Sequence, residues 1–184
     1  MKHLIKRAAF RRRDARAPGS RPEGLANTST EKVAGFRIFP LAPEHIPFLE
    51  ALEGDADLPF WGADNYRRFL EDISGYFGFC LIPETDEKCL AGFSLARATF
   101  EDMELLKIGV TPEFQRLGFG TKLLDETLEE GGMRACTRCF LEVRKSNQKA
   151  IQFYSVNGFK IVGARLDYYS NPVEDAWIME RQIP

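Results

Sequence analysis

At 184 residues, with 44% hydrophobic and 28% charged side chains, the chain is sized for one domain with its own core, and no apolar run approaches the roughly 20 residues of a bilayer span. The net charge of −2 hides two unlike parts: residues 1 to 34 carry nine Lys or Arg against three acids, whereas the remainder holds 16 basic and 24 acidic side chains. An acidic body argues against direct nucleic-acid binding by the folded part, and no stretch reads as a secretory signal.

The first 34 residues, with Pro18, Gly19, Pro22 and Gly24 and little apolar periodicity after Phe10, read as a basic, disordered extension. Three accounts stand: a polybasic arm for RNA or ribosome surfaces, an Arg-rich targeting peptide, or residues translated from upstream of the true start. The folded domain is expected over 35–184. Phe36 to Leu41 alternates as a strand, and Pro43 to Leu52 reads as a helix with Ile46, Leu49 and Leu52 on one side. A loop with exposed aromatic character, Asp57 to Gly62, precedes Asp64 as helix cap and a helix through Ile73. Phe77 to Ile82 and Cys89 to Ala98 read as strands joined by a turn over 83–87, and Glu104 to Val110 as a further strand. The next helix runs to about Glu130, stopped by Gly131 and Gly132.

Thr137 to Arg144 alternates, with Cys139, Leu141 and Val143 on one face and Phe140, Glu142 and Arg144 on the other. Ser146 or Asn147 caps a helix with Ala150, Ile151 and Tyr154 on its apolar side, closed by Asn157 and Gly158. Phe159 to Gly163 and Asp175 to Arg181 supply the last strands, with Asp167 to Pro172 leading into the loop between them. This order gives a mixed α/β sheet. Cys136 and Cys139 form a lone C-x-x-C on what reads as strand, where residues three apart face opposite sides, so free thiols are expected and no metal site. Four cysteines without a disulfide framework suit a reducing cytoplasm.

The chemistry starts at the loop Gln115-Arg116-Leu117-Gly118-Phe119-Gly120-Thr121, between a strand end and an amphipathic helix. Glycines there let ligand atoms approach the backbone, and the amides from Arg116 to Thr121 point where a helix start carries about half a positive charge. That is a pyrophosphate cradle. A plain turn is the alternative reading.

The segments I-G-V-T-P-E-F-Q-R-L-G-F-G (108 to 120), F-L-E-V-R-K-S-N-Q-K-A-I-Q-F-Y-S-V-N-G-F (140 to 159) and D-Y-Y-S-N-P-V-E-D-A-W-I-M (167 to 179) resemble the GCN5-related N-acetyltransferase (GNAT) superfamily, and within it the RimI type that acetylates ribosomal-protein N-terminal alanine. The resemblance covers roughly residues 36 to 182. It implies a mostly antiparallel mixed sheet with a central parallel strand pair splayed around acetyl-coenzyme A, and helices on both faces. It also implies that the backbone of Ile108, Gly109 and Val110 holds the pantetheine arm and acetyl carbonyl, that Arg116, Leu117, Gly118, Phe119, Gly120 and Thr121 hold the pyrophosphate, and that Asn147 meets a later part of the cofactor. Glu142 would be general base, Tyr154 general acid, and Tyr168 and Tyr169 the grip on a peptide's first residues. Around Leu58-Pro-Phe-Trp-Gly the chain departs from the expected arrangement, leaving Trp61 either a substrate contact or a partly buried anchor.

Acetyl transfer needs a neutral amine, a polarised carbonyl and a stabilised departing thiolate. An α-amino group, with a reference pKa near 7.7 against about 10.4 for lysine, is easier to deprotonate at neutral pH by roughly 3.7 kcal/mol, so one carboxylate acting through water suffices. Glu142 fits that role, or is a surface acid paired with Arg144 or Arg97. Tyr154 donates to the sulfur or packs on the sheet. A backbone amide near Val110 is the candidate oxyanion donor. The acids Glu50, Glu53, Asp55 and Asp57 would favour a basic acceptor or are solvated helix-end charge. No cysteine or serine stands beside a histidine, since His3 and His45 are remote from the motifs, so direct transfer is expected. The function read is a cytoplasmic transferase acting on a protein N-terminus, with a small-molecule or lysine acetyltransferase and a non-catalytic acetyl-coenzyme A sensor as rivals.

Overall fold

The computed structural model describes residues 32–33, 35–55, 58–71, 75–84 and 89–183. The basic extension up to residue 31 lies outside them, as do the expected helix end at Ile73 and most of the turn over 83–87.

Eight strands form one sheet: β1 (Lys32–Val33), β2 (Phe36–Pro40), β3 (Tyr76–Pro83), β4 (Gly92–Thr99), β5 (Asp102–Val110), β6 (Arg138–Arg144), β7 (Lys160–Ser170) and β8 (Val173–Gln182). Four helices join them: α1 (Ile46–Asp55), α2 (Ala63–Glu71), α3 (Phe119–Met133) and α4 (Gln148–Val156). The strand order is β1-β2-β3-β4-β5-β6-β8-β7. Every neighbouring pair is antiparallel except β5 and β6. Pairing of Lys32 and Val33 with Arg37 and Phe36 brings into the sheet two residues that the sequence reading assigned to the extension.

Both sheet faces are covered. Strand β3 sends Phe77, Phe79 and Leu81 into a core shared with Leu123, Leu124 and Leu128 of α3, and Cys80 and Ile82 into a second core with Ile46, Leu49 and Leu52 of α1. Burial on both faces explains why β3 is apolar almost throughout. Each fully buried leucine contributes about 1.5–3 kcal/mol, so the two cores hold the helices that flank the site.

Three expectations about element ends are corrected. Gly131 and Gly132 lie inside α3 and do not stop it. Gly131 is a close-packing position, because a Cβ there would collide with Met103 Sδ. The chain leaves the helix only at Ala135, whose φ is 65°. Asp64 does not cap α2: the amide of Ala63 donates to Glu50 Oε1 at 2.7 Å, so the cap comes from α1. Strand β7 runs on past Gly163 to Ser170 and carries Tyr168 and Tyr169, which therefore sit in strand. Gly163 made that strand appear to end, yet its φ needs no glycine and a Cβ there would meet Ile178 at an ordinary 3.6 Å.

Cys139, Leu141 and Val143 are buried as the alternation predicts. Cys136 precedes the strand and enters the same core as Cys139, so the two do not face opposite sides. All four cysteines are free thiols, and among the described residues no group of His, Cys, Asp or Glu is arranged to hold a metal. No described helix is long and apolar enough to cross a membrane.

Candidate active site

Strand β5 is nine residues long but pairs with β6 only through Asp102, Met103 and Glu104. From Leu105 to Val110 the two strands diverge, and the β6-facing edge of β5 is open. On its other side β5 stays paired to β4 as far as Val110, with an extra residue, Leu106, at a register shift. Such a bulge redirects the side chains beyond it. Met103 and Leu105 face α3, whereas Lys107 and Gly109 face α1 and the loop before α2.

The chain leaves β5 through a single 3-10 turn at Pro112–Phe114 and enters the glycine loop. Gln115 Nε2 donates to the Val110 carbonyl at 2.9 Å, tying the loop to the strand end. Arg116 and Gly118 take positive φ of 61° and 85°, and Gly118 is the N-cap of α3 with no side-chain cap. Among the described residues, no backbone acceptor takes the amides from Arg116 to Thr121. These are the orphan donors of a helix start, gathered beside the open edge of β5. Gly120 has a packing reason as well, since a Cβ there would lie 3.3 Å from Phe153 of α4. Leu117 is exposed and Phe119 buried, so beyond Gln115 the polar groups of the loop are its backbone and the Arg116 and Thr121 side chains.

Glu142 points from β6 to the face opposite Cys139, Leu141 and Val143. Its carboxylate is paired with Arg165 of β7, and its charge acts on the Tyr168 phenol. Neither partner considered from sequence holds it: Arg144 pairs with Glu174 at 3.0 Å and Arg97 with Glu104 at 3.1 Å. The sequence does not single out Arg165, because Gly163 reads as the end of β7. Between Arg165 and Tyr169 the register with β8 shifts, Asp167 takes φ 50°, and its amide donates to Asp175 Oδ1 at 2.9 Å. That irregularity turns Tyr168 toward Glu142. Tyr169 donates to the Glu142 carbonyl at 3.4 Å and lies under the Arg144 guanidinium, 4.1 Å away. Burial, with the nearby Glu142 charge, pushes both phenols up, Tyr169 to about 12. Glu104, also unforeseen, belongs to the same group: partial burial and Glu142 push its carboxyl up, against the pull of Arg97.

Tyr154 sits on α4 with its ring against Phe153 and Phe159, at 5.3 and 5.7 Å. Burial pushes its phenol up, and Cys139 and Tyr169 add to the effect. Glu142, Tyr168 and Tyr169 therefore stand together, while Tyr154 packs on the core side of the sheet with Cys139, Leu141 and Val143, within electrostatic reach of Tyr169. Asn147 is the cap of α4, its Oδ1 accepting the Ala150 amide at 3.0 Å, so the ambiguity with Ser146 resolves in its favour.

Trp61 stands apart from that group. Its ring packs on Tyr66 and Phe69 at 5.9 and 5.2 Å, and its amide donates to Glu53, so it is a partly buried anchor; the exposed aromatic of the loop is Phe60, at 74%. The acids around it are not a free field for a basic partner. Glu53 is 1% exposed and paired with Lys107, and Glu50 caps α2; the side chains of Asp55 and Asp57 lie outside the described residues.

One further expectation is corrected. A cysteine does stand beside a histidine, Cys80 Sγ lying 3.7 Å from His45 Nε2. Its thiol is fully buried and burial pushes it up to about 12, so it is no nucleophile, and β4 separates its strand from β5.

Residues 46–159 match the family model described as Acetyltransferase (GNAT) family. The [ribosomal protein bS18]-alanine N-acetyltransferase of Salmonella typhimurium is 36% identical over 101 residues, which is 54% of this chain and 68% of that enzyme. The crystal structure of the ribosomal-protein-S18-alanine N-acetyltransferase from Escherichia coli superposes with a TM-score of 0.70 at 29% identity, covering 80% of this chain and 94% of the other. Arabidopsis thaliana NAA60, in complex with acetyl-CoA, shares the fold with a TM-score of 0.70 at 18% identity over 80% of this chain and 99% of its own. With a family model covering more than half its length and the strand divergence that opens β5, this chain belongs to the GNAT family of N-acetyltransferases.

Proposed function

We propose that the protein transfers the acetyl group of acetyl-coenzyme A directly to the α-amino group of a protein N-terminus in the cytoplasm. The observation that carries this reading is the open edge of β5 beyond Glu104, flanked by unpartnered loop amides on one side and the Glu142, Tyr168 and Tyr169 group on the other. These features fit the co-substrate: an extended arm suits a free strand edge, and a pyrophosphate suits a helix start without a side-chain cap. Ile108, Gly109 and Val110 would hold the arm, Arg116 to Thr121 the pyrophosphate, and Asn147 a later part. When bound, acetyl-coenzyme A supplies the activated acetyl thioester.

The chain's own residues do the rest. Glu142, its carboxylate oriented by Arg165, takes the amine's proton through a water, a task kept small by the amine's pKa near 7.7. A Val110 backbone amide donates to the carbonyl oxygen. Tyr154 donates a hydrogen bond at the sulfur; its raised phenol keeps the proton, so donation and not complete transfer is its contribution. Tyr168 and Tyr169 border the amine and order the first residues of the acceptor.

Relatives named for ribosomal protein bS18 make its N-terminal alanine the first acceptor to try. The test is to incubate the protein with acetyl-coenzyme A and a panel of free N-terminal peptides, N-blocked lysine peptides and polyamines. Acetylation confined to peptide α-amines is the expected result. Transfer only to lysine or polyamine overturns the acceptor, and tight cofactor binding with no transfer to any amine overturns the catalytic reading.

A further inference from the structure

Beneath the loop over 58–62 lies a buried ionic cluster that the proposed chemistry does not use. Lys107 of β5 and Glu53 of α1 are paired, with side chains 4% and 1% exposed. Glu53 also accepts the Trp61 amide through both oxygens, at 3.1 and 3.2 Å, and the Tyr66 hydroxyl at 2.6 Å. Lys107 donates to the Pro59 carbonyl and lies 4.6 Å from the Trp61 ring and 5.6 Å from that of Tyr66.

A buried ion pair is poor evidence of stabilisation, because apolar side chains of similar volume fill such a space equally well. What an apolar pair lacks is the means to hold a neighbouring backbone. Here both charges spend hydrogen bonds on the main chain of one loop. The loop is tied down on either side of them: the Leu58 amide donates to the Glu53 carbonyl at 2.8 Å, Asn65 Nδ2 donates to the Trp61 carbonyl at 2.6 Å, and Glu50 takes the Ala63 amide. Leu58 rests on Gly109, where a Cβ would come within 2.5 Å of its Cδ1. Pro59 and Phe60 are the residues of the loop left exposed.

We propose that Lys107 and Glu53 are positioning residues for the acceptor: they clamp the 58–62 loop to β5, so that the wall of the acceptor cleft and the strand carrying the thioester keep a common register. Lys107 and Gly109 bracket Ile108 on the face of β5 that meets this loop, so a shift of the loop is a shift relative to the reacting carbonyl. Displacements of about 1 Å at such a distance cost on the order of a hundredfold in rate. The inference rests on the reading that this loop borders the acceptor.

Three measurements test it. In the wild-type protein, amide hydrogen exchange at Leu58, Trp61 and Ala63 should be as slow as in β5; exchange as fast as in an open loop overturns the clamp whichever acceptor is used. An apolar double variant, Glu53→Leu with Lys107→Met, keeps volume and neutrality and should speed exchange over 58–63 by about a hundredfold. It should raise the acceptor KM about tenfold or more while leaving the acetyl-coenzyme A KM within about twofold. A polar neutral double variant, Glu53→Gln with Lys107→Gln, retains an acceptor for Trp61 and a donor for Pro59 and should return the acceptor KM to within about threefold of wild type. Unchanged exchange and acceptor KM in a folded apolar variant, or equal rises in both KM values, overturn the proposal. If the wild type acetylates no peptide terminus the acceptor reading fails by itself, and the exchange experiment still decides the clamp.

Discussion

Glu142 faces two demands that its own strand cannot meet: it must be held in place, yet remain able to receive a proton. Arg165 holds it, and comes from β7. Under the proposed chemistry, Glu142→Gln lowers turnover by about a hundredfold or more, the usual loss on removing a general base, with acetyl-coenzyme A affinity unchanged by calorimetry. Tyr154→Phe is expected to match it. Because burial pushes the Tyr154 phenol above its ordinary value, the group stays protonated well past neutrality, and the pH–rate profile should show no alkaline fall from it below about pH 10. An alkaline limb near pH 8 or 9 that vanished in Tyr154→Phe would contradict this. The sequence singles out Glu142 and Tyr154 because they stand inside dense motifs. Arg165, Glu104, Lys107 and Glu53 were not legible, since each acquires its role from a partner at least seven residues away, and nothing in a local pattern names that partner. Glu53 did leave one trace: with Leu49 and Leu52 it lies on the buried side of α1, where an acid needs a partner.

Helix α3 shows how packing overrides a punctuation signal. Gly131 and Gly132 read as a stop, but the helix continues through them because Gly131 lets α3 approach Met103 of β5. Two substitutions separate packing from propensity. Gly131→Ala forces Met103 to move, whereas at Gly132 a Cβ meets Ile183 Cγ2 at a comfortable 3.4 Å and gains helix propensity. Chemical denaturation should find Gly131→Ala less stable than Gly132→Ala by about 1–3 kcal/mol. The junction of α1, α2 and β5 makes a different prediction. Burial lowers the Lys107 ammonium from 10.5 to about 8, against the pull of Glu53. Between those values the folded protein has released a proton that the unfolded chain still holds, so this group makes stability rise with pH across about 8 to 10.5. Below that window its charged form carries the full burial penalty in the folded state. The groups around it are Glu53 from α1, Tyr66 from α2, and Pro59 and Trp61 from the loop. Subtracting the stability of Lys107→Met from that of wild type at each pH isolates the effect, and a flat difference across the window would refute it.

Taken together, the elements form two cores back to back, with a gap where β5 and β6 part company. A ligand that binds only the folded state there stabilises it, by about 2.7 kcal/mol at a hundred times its Kd. For a chain of this size that corresponds to a rise in Tm of roughly 5–10 °C, readable by differential scanning fluorimetry with acetyl-coenzyme A. Gly118→Val should abolish the rise, because a β-branched side chain is strained at φ 85° and the loop must change its backbone to take it, although a Cβ there meets only open space. A full shift in that variant would place the cofactor elsewhere. Composition and periodicity alone determined the mixed α/β class, the alternation of β6, the presence of α4 and the glycine loop ahead of α3, because each depends on residues within one or two turns of each other. The motif resemblance added the family. Only the tertiary structure decided where β7 ends, which cation faces Glu142, why Gly131 is a glycine, and that Trp61 anchors while Phe60 is exposed. Those outcomes depend on pairings across the sheet and between helices, where the partner is chosen by three-dimensional proximity, and a linear pattern carries no distance between its distant parts.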